Sequence, residues 1–326
     1  MNRQNTNQIT GIVILIGIVI FLSLLILQQT YNPSPDKKAD GPVFPRIYHN
    51  LVVYESRTTL HNADIIMFNI SSGMQQDLSD HDGNQFRPDI DDDKVIWQDK
   101  RSGFWNIFLK NLTTGKTTSI TNYSSRETTP QIFGDRVVYI DERNGSQDIA
   151  LFNLSTGDEK MICSAEDIQW QPDIDGDWVV WEDWRRGPKS EGDIYAYYLP
   201  TDQEIEITNS STSEWFPSVS DGRVVWQSNK NGNFDVFFEN LTTREQIQIT
   251  NDSSRQWLPR ISGDTIVWID ERNKQWDIYG YNISTGVEIQ ITNCSGNEAW
   301  PDVSEDTVVY INYPEQGKAE LMSARI

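Results

Sequence analysis

One short phrase is written seven times along this chain: a Pro, a few residues, a turn, then an apolar triplet that ends in an aromatic. The triplets are Val52-Val53-Tyr54, Val95-Ile96-Trp97, Val137-Val138-Tyr139, Val179-Val180-Trp181, Val224-Val225-Trp226, Ile266-Val267-Trp268 and Val308-Val309-Tyr310. Their first residues are spaced 43, 42, 42, 45, 42 and 42 apart. A fixed period of this size means one supersecondary unit repeated, and such a unit cannot bury its apolar faces without neighbours.

The unit around Pro259 parses into four strand candidates: Pro259 to Ser262, Ile266 to Ile269, Asp277 to Asn282 and Glu288 to Thr292. The runs are short, rich in Val, Ile, Trp and Tyr, and punctuated by Gly, Asn, Asp and Ser. The punctuation repeats as well. Ser71-Ser72-Gly73, Thr113-Thr114-Gly115, Ser155-Thr156-Gly157 and Ser284-Thr285-Gly286 separate third from fourth strands, with Gly supplying the positive φ of a tight hairpin. Four antiparallel strands at this period, stacked about an axis, describe a β-propeller. The first-strand prolines Pro45, Pro88, Pro130, Pro172, Pro217, Pro259 and Pro301 count seven blades. The expected fold is therefore all-β, a seven-bladed propeller of four-stranded blades over 44–326. The last blade is predicted to be three-stranded, with Lys318, Glu320 and Arg325 placing charge near its edge.

The pieces Asp193-Ile194-Tyr195, Asp235-Val236-Phe237 and Asp277-Ile278-Tyr279, with the pairs Ile207-Thr208, Ile249-Thr250 and Ile291-Thr292, resemble the TolB-type propeller repeat from Phe44 to about Ala324. The chain departs from that pattern at the first turn, where the usual Ser-Pro-Asp-Gly lacks its Pro. The resemblance implies a propeller and leaves function open, because such repeats serve many roles.

Residues 11–27 are apolar apart from Ser23. At ~1.5 Å per residue this run just crosses a ~30 Å hydrocarbon layer, and it exceeds the ~7 to 15 apolar residues of a cleaved signal. The expectation is a short cytoplasmic tail (1–10), a transmembrane signal-anchor helix (11–27), a flexible linker (28–43) and an extracellular propeller on a single-pass membrane protein. Asn-x-Ser/Thr sequons at Asn69, Asn111, Asn122, Asn144, Asn153, Asn209, Asn240, Asn251, Asn282 and Asn293 are candidate glycosylation sites. Five of them fall in the repeated hairpin turn, where Asn is also favoured for backbone reasons. The net charge of −21 opposes nucleic acid and anionic lipid and leaves room for cations. Cys163 and Cys294, read into blades two and six, are too far apart in a ring to pair.

On the face where first strands begin, three features stand out. Aromatics precede the inner-strand prolines at Phe86, Trp170, Trp215, Trp257 and Trp300, with Phe44 in a similar place. They suit stacking on a ligand at a channel mouth, or wedging between blades. The loop between second and third strands repeats an acid-x-Arg pattern at Asp99/Arg101, Asp141/Arg143, Asp183/Arg185 and Asp270/Arg272, which suits a structural fork better than a cation site. Departures from the repeat add Arg185, Arg186 and Lys189 in the long loop of blade four, and His61 and His81 beside Asp80 and Asp82. Asp89, Asp91, Asp92 and Asp93, and Asp173, Asp175 and Asp177, are read onto the opposite face without the glycine and distal Glu of a calcium loop.

The chain contains no Gly-x-Ser-x-Gly, His-Glu-x-x-His, phosphate-cradling glycine loop or metal-spaced Cys/His set. The leading expectation is therefore a non-enzymatic surface module that binds an envelope protein, peptide or glycan, with no cofactor or metal. The alternatives are a lyase or glycosidase acting on polysaccharide, since glycoside cleavage needs only two suitably spaced carboxylates, and a structural component of the envelope.

Overall fold

Alternation within each apolar triplet decides which neighbour each side chain meets. Successive residues of a strand point to opposite faces, so the first and third residues share one face and the middle residue takes the other. Val53 packs with Val95 and Trp97 of the next unit; Ile96 packs with Val137 and Tyr139. Val138 meets Val179 and Trp181, Val180 meets Val224 and Trp226, and Val225 meets Ile266 and Trp268. The series closes on itself, because Val309 of the last unit packs with Val52 and Tyr54 of the first. Seven units thus bury one another in a ring.

These contacts are those of a computed structural model that describes residues 41–59, 62–79, 81, 83–186 and 192–326. The segments expected to form the tail, the anchor and most of the linker lie outside the described residues, as do His61, Asp80, Asp82 and Lys189. Among the described residues no helix is long and apolar enough to cross a membrane.

Six sheets are four-stranded and antiparallel, each running in chain order from the channel outward, and the seventh has three strands. The inner strands are Gly41–Tyr48, Gln85–Asp91, Glu127–Phe133, Gln169–Asp175, Glu214–Ser220, Gln256–Ser262 and Gly296–Ser304. The first begins three residues before the expected Phe44, taking residues 41–43 out of the linker. Second strands such as Trp178–Asp183 are buried on both faces, whereas fourth strands such as Met74–Asp77 and Val287–Gln290 are exposed throughout. The outermost strand of blade seven is Glu320–Arg325.

The core is densest where the triplet ends. Trp97, Trp181, Trp226 and Trp268 are no more than 2% exposed and stack on Phe108, Tyr195, Phe237 and Tyr279 of the neighbouring third strand at 6.1 to 6.5 Å between ring centres. On the far side of the ring, the five hairpin asparagines use their side chains internally. Asn69, Asn111, Asn153, Asn240 and Asn282 each accept, through Oδ1, a backbone N–H of the turn that follows, from Ser72, Thr114, Thr156, Thr243 and Thr285. That bond is the local reason for an Asn in this turn. Cys163 is buried and ends the fourth strand of blade three, one blade later than expected; Cys294 is exposed, and both are free thiols.

Removing one stacked indole leaves a large void between two blades. Trp181→Ala is expected to lower the free energy of unfolding by ~3 to 5 kcal/mol, and Met74→Ala on an exposed outer strand to change it by less than ~0.5 kcal/mol. Urea unfolding followed by circular dichroism measures both; similar costs at the two positions would contradict this packing.

Candidate functional site

The inner strands converge on a central channel, and each is interrupted at the same point. The residue immediately before the repeated Pro is Phe44, Arg87, Thr129, Gln171, Phe216, Leu258 or Trp300, and all seven have φ between 48° and 55°. Left-handed conformations are uncommon for residues other than Gly. Here they accompany a register shift in all seven inner strands, as between Phe86 and Asp89 or Trp170 and Asp173. Such a bulge turns a side chain out of the ladder and toward a new direction. The seven side chains form a collar around a cavity of about 90 Å³, whose other walls are six of the seven prolines, all but Pro130, with Arg46, Gln131 and Arg260.

Four of the bulges are held from the neighbouring blade. An inner strand has a ladder partner on one edge only, so its other backbone groups need acceptors from elsewhere. The Arg87 N–H donates to Glu55 Oε1 at 2.8 Å, that of Thr129 to Gln98 at 2.9 Å, that of Phe216 to Glu182 at 2.8 Å and that of Leu258 to Gln227 at 2.8 Å. Each acceptor stands on the second strand of the preceding blade.

One residue past the prolines comes a ring of Arg46, Asp89, Gln131, Asp173, Ser218, Arg260 and Asp302. Asp89, Asp173 and Asp302 accept from Ile132, Val219 and Ile47 of the following blade at 2.8 to 3.0 Å. Two guanidiniums lie among the three carboxylates. Arg46 donates to Gln131 at 2.8 Å and lies 3.8 Å from Asp89 and 3.6 Å from Asp302. Arg260 donates to Asp302 at 3.1 Å and lies 3.9 Å from Asp173. Burial pushes Asp89 up to about 7 and Asp173 and Asp302 to about 6, against the pull of Arg46. At the opposite face Asp91 and Asp175 accept from Gly134 and Asp221 in the same blade-to-blade manner. Within the acidic runs read from the sequence, Asp89, Asp91, Asp173 and Asp175 are therefore staples between blades, and Asp89 and Asp173 lie within the channel wall.

The aromatics chosen from sequence divide into two sets. Phe86, Trp170, Trp215 and Trp257 stand two residues before their prolines, next to the collar and outside the cavity lining. Phe86 packs on Trp105 at 5.4 Å, Trp215 on Phe234 at 5.2 Å and Trp257 on Trp276 at 4.8 Å, while Trp170 packs against the core shared by blades three and four. Trp300 immediately precedes Pro301 and belongs to the collar, 4.2 Å from Phe44. Arg185 forks onto Asp183 at 2.7 Å, pairs with Glu204 and lies 4.0 Å over Tyr195. Arg101 and Arg272 repeat that arrangement over Phe108 and Tyr279. Arg186 reaches Asp193, Glu206 and Asn209. His81 is exposed. His49 pairs with Glu305 at 3.0 Å across the junction of blades one and seven. Among the described residues no group of three or more His, Cys, Asp or Glu side chains is arranged to hold a metal ion.

No family profile and no curated protein matches the chain. Solved structures do. The β-propeller domain of the trilobed protease from Pyrococcus furiosus is 13% identical, with a TM-score of 0.70 over 87% of this chain and 92% of that one. A puromycin-hydrolysing peptidase from Mycobacterium tuberculosis is 14% identical, with a TM-score of 0.70 over 89% of this chain and 53% of that one. The TolB likeness read from the repeats is met by a putative TolB from Agrobacterium tumefaciens, 14% identical, with a TM-score of 0.54 over 71% of this chain and 88% of that one. Acylaminoacyl peptidase, prolyl endopeptidase, a second puromycin hydrolase and an oligogalacturonate lyase share the propeller. This chain spans about half the length of those peptidases. At such identities the likeness establishes the fold. It also corrects one expectation: with enzymes, peptidases above all, predominating among these neighbours, the reading as a non-enzymatic interaction module does not stand.

The staples carry a pH signature. Glu182 is pushed up to about 8 by burial, against its bond from Phe216 N–H, whereas an unfolded Glu titrates near about 4.3. The folded state therefore holds this proton more tightly, and its contribution to stability is complete below pH ~4 and lost as pH rises toward 8. At the equivalent position Gln98 and Gln227 accept the same bond without ionising. Glu182→Gln is expected to match the parent near pH 4 and to melt progressively higher than it up to pH 8. A melting difference that does not vary with pH would contradict this account.

Proposed function

We propose that this propeller is the substrate-selecting part of a peptide-hydrolysing enzyme, with substrate entering the channel from the face where the inner strands begin. The observation that carries the reading is the collar. Seven repeating backbones present side chains of six different kinds around a cavity of about 90 Å³. A space of that size takes several waters or the end of a chain, and it excludes a folded domain. A concave site with apolar walls and a few placed polar groups is the ordinary form of a small-ligand pocket. The peptidases among the solved structures to which this chain is similar support hydrolysis as the reaction class.

In this reading the collar selects and holds substrate, and bond cleavage takes place beyond it. The ring below the collar sets Arg46 and Arg260 among its three carboxylates, which offsets most of their charge on a protein of net charge −21.

The test uses the full chain, purified and also in the extract it came from, assayed with short fluorogenic peptides. Hydrolysis is expected, and Gln171→Trp, which narrows the cavity, is expected to lower kcat/KM at least ~10-fold. The backbone tolerates that substitution because Trp300 holds the same φ region at the equivalent position. No hydrolysis in either preparation, or equal turnover by the narrowed variant, would overturn the proposal.

A further inference from the structure

The collar is split by chemistry. Arg87, Thr129 and Gln171 come from consecutive blades two, three and four; Phe216, Leu258, Trp300 and Phe44 come from five, six, seven and one. One arc is polar and the other apolar, so a ligand that fits both has a polar head and an apolar body.

Three guanidiniums reach this cavity, and they are not equivalent. Arg46 and Arg260 are committed to Gln131, Asp89, Asp173 and Asp302 as described above. Arg87 is not. Its backbone N–H takes Glu55 Oε1, and the other oxygen of Glu55 receives two bonds from Arg57, at 3.0 and 2.7 Å. The Arg87 guanidinium has no hydrogen-bond acceptor among the described residues; one side lies 4.0 Å from the Phe44 ring centre, and Arg57 lies 5.7 Å from that same ring. Arg57 and Arg87 thus share one fully engaged glutamate, a local excess of positive charge on an acidic protein. A half-buried cation without a partner is costly, and a planar fork with its donors free matches a carboxylate in bidentate fashion. Burial lowers Arg87 to about 10, so it remains charged at neutral pH.

We propose that Arg87 is the receptor for the C-terminal carboxylate of a short peptide ending in an apolar residue, whose side chain lies on the Phe216–Leu258–Trp300–Phe44 arc. This rests on the reading of the protein as acting on peptides and names its preferred substrate end. The size of the cavity favours a chain end over a site along a polymer, and the surrounding charge disfavours polyanions through long-range repulsion.

The test is calorimetric binding to the full chain of Ala-Ala-Phe as free acid and as C-terminal amide, with Ala-Ala-Asp, acetate and inorganic phosphate as further probes. The free acid is expected to bind at least ~10-fold more tightly than the amide, and more tightly than Ala-Ala-Asp, acetate or phosphate. Arg87→Gln should abolish the preference for acid over amide, lowering affinity for the free acid at least ~10-fold. Gln171 already holds this φ, so the backbone permits the change, and a melting curve checks folding. Equal affinity for acid and amide in the parent protein would overturn the inference whether or not the variant folds. So would persistence of the preference in a folded Arg87→Gln variant, or phosphate binding as tightly as the free acid. Binding is read without turnover: hydrolysis lacking a carboxylate preference sinks this inference alone, and a preference without hydrolysis sinks only the proposed activity.

Discussion

An inner propeller strand has one edge that no ladder satisfies, and the way this chain satisfies it organises the rest. Side-chain oxygens from the preceding blade accept those backbone N–H groups at three levels down the channel, through Glu55, Gln98, Glu182 and Gln227 at the collar, through Asp89, Asp173 and Asp302 in the middle, and through Asp91 and Asp175 at the far face. Apolar packing brings blades together, but it is non-directional. The acceptor bonds fix how one inner strand sits against the next, and so where each collar side chain points. The bonds from Ile47 N–H to Asp302 and from His49 N–H to Ser304 Oγ do the same across the junction of the last blade and the first.

The same bonds explain how four of the seven bulges persist, those at Arg87, Thr129, Phe216 and Leu258. Seven non-glycine residues at positive φ cost of order 1 kcal/mol or more each, and a backbone N–H left buried and unpaired would cost more. A neighbour that accepts this N–H makes the strained conformation the satisfied one. Strain of this kind gathers where a fold aims side chains at a ligand, and here it sets seven of them around one cavity.

Much of the architecture was legible because it repeats. The period gives the blade count, and the glycines of the hairpins mark the turns. The collar was harder to see for the opposite reason: its position is the one in the phrase that does not repeat. The aromatics that recur, Phe86, Trp170, Trp215 and Trp257, do so because they pack on Trp105, Phe234, Trp276 and the core. Trp300 resembles them in type but stands one residue nearer its proline. Aligning the units on the proline and reading down the column just before it would have isolated Phe44, Arg87, Thr129, Gln171, Phe216, Leu258 and Trp300. Nothing in the sequence shows that this column takes positive φ, because none of its members is Gly or Asn. The acid runs misled in a similar way, since Asp89 and Asp173 read as surface charge and are near-buried acceptors, with side chains 14% and 12% exposed.

Native-state amide hydrogen exchange tests the central claim most directly, because it reads the inner-strand N–H groups one by one. The account predicts that the amides of Arg87, Thr129, Phe216 and Leu258, and those of Ile47, Ile132 and Val219, exchange as slowly as ladder amides in the second strands. Exchange of these seven at the rate of exposed loop amides would contradict the claim that side chains of the neighbouring blade hold the channel wall in place.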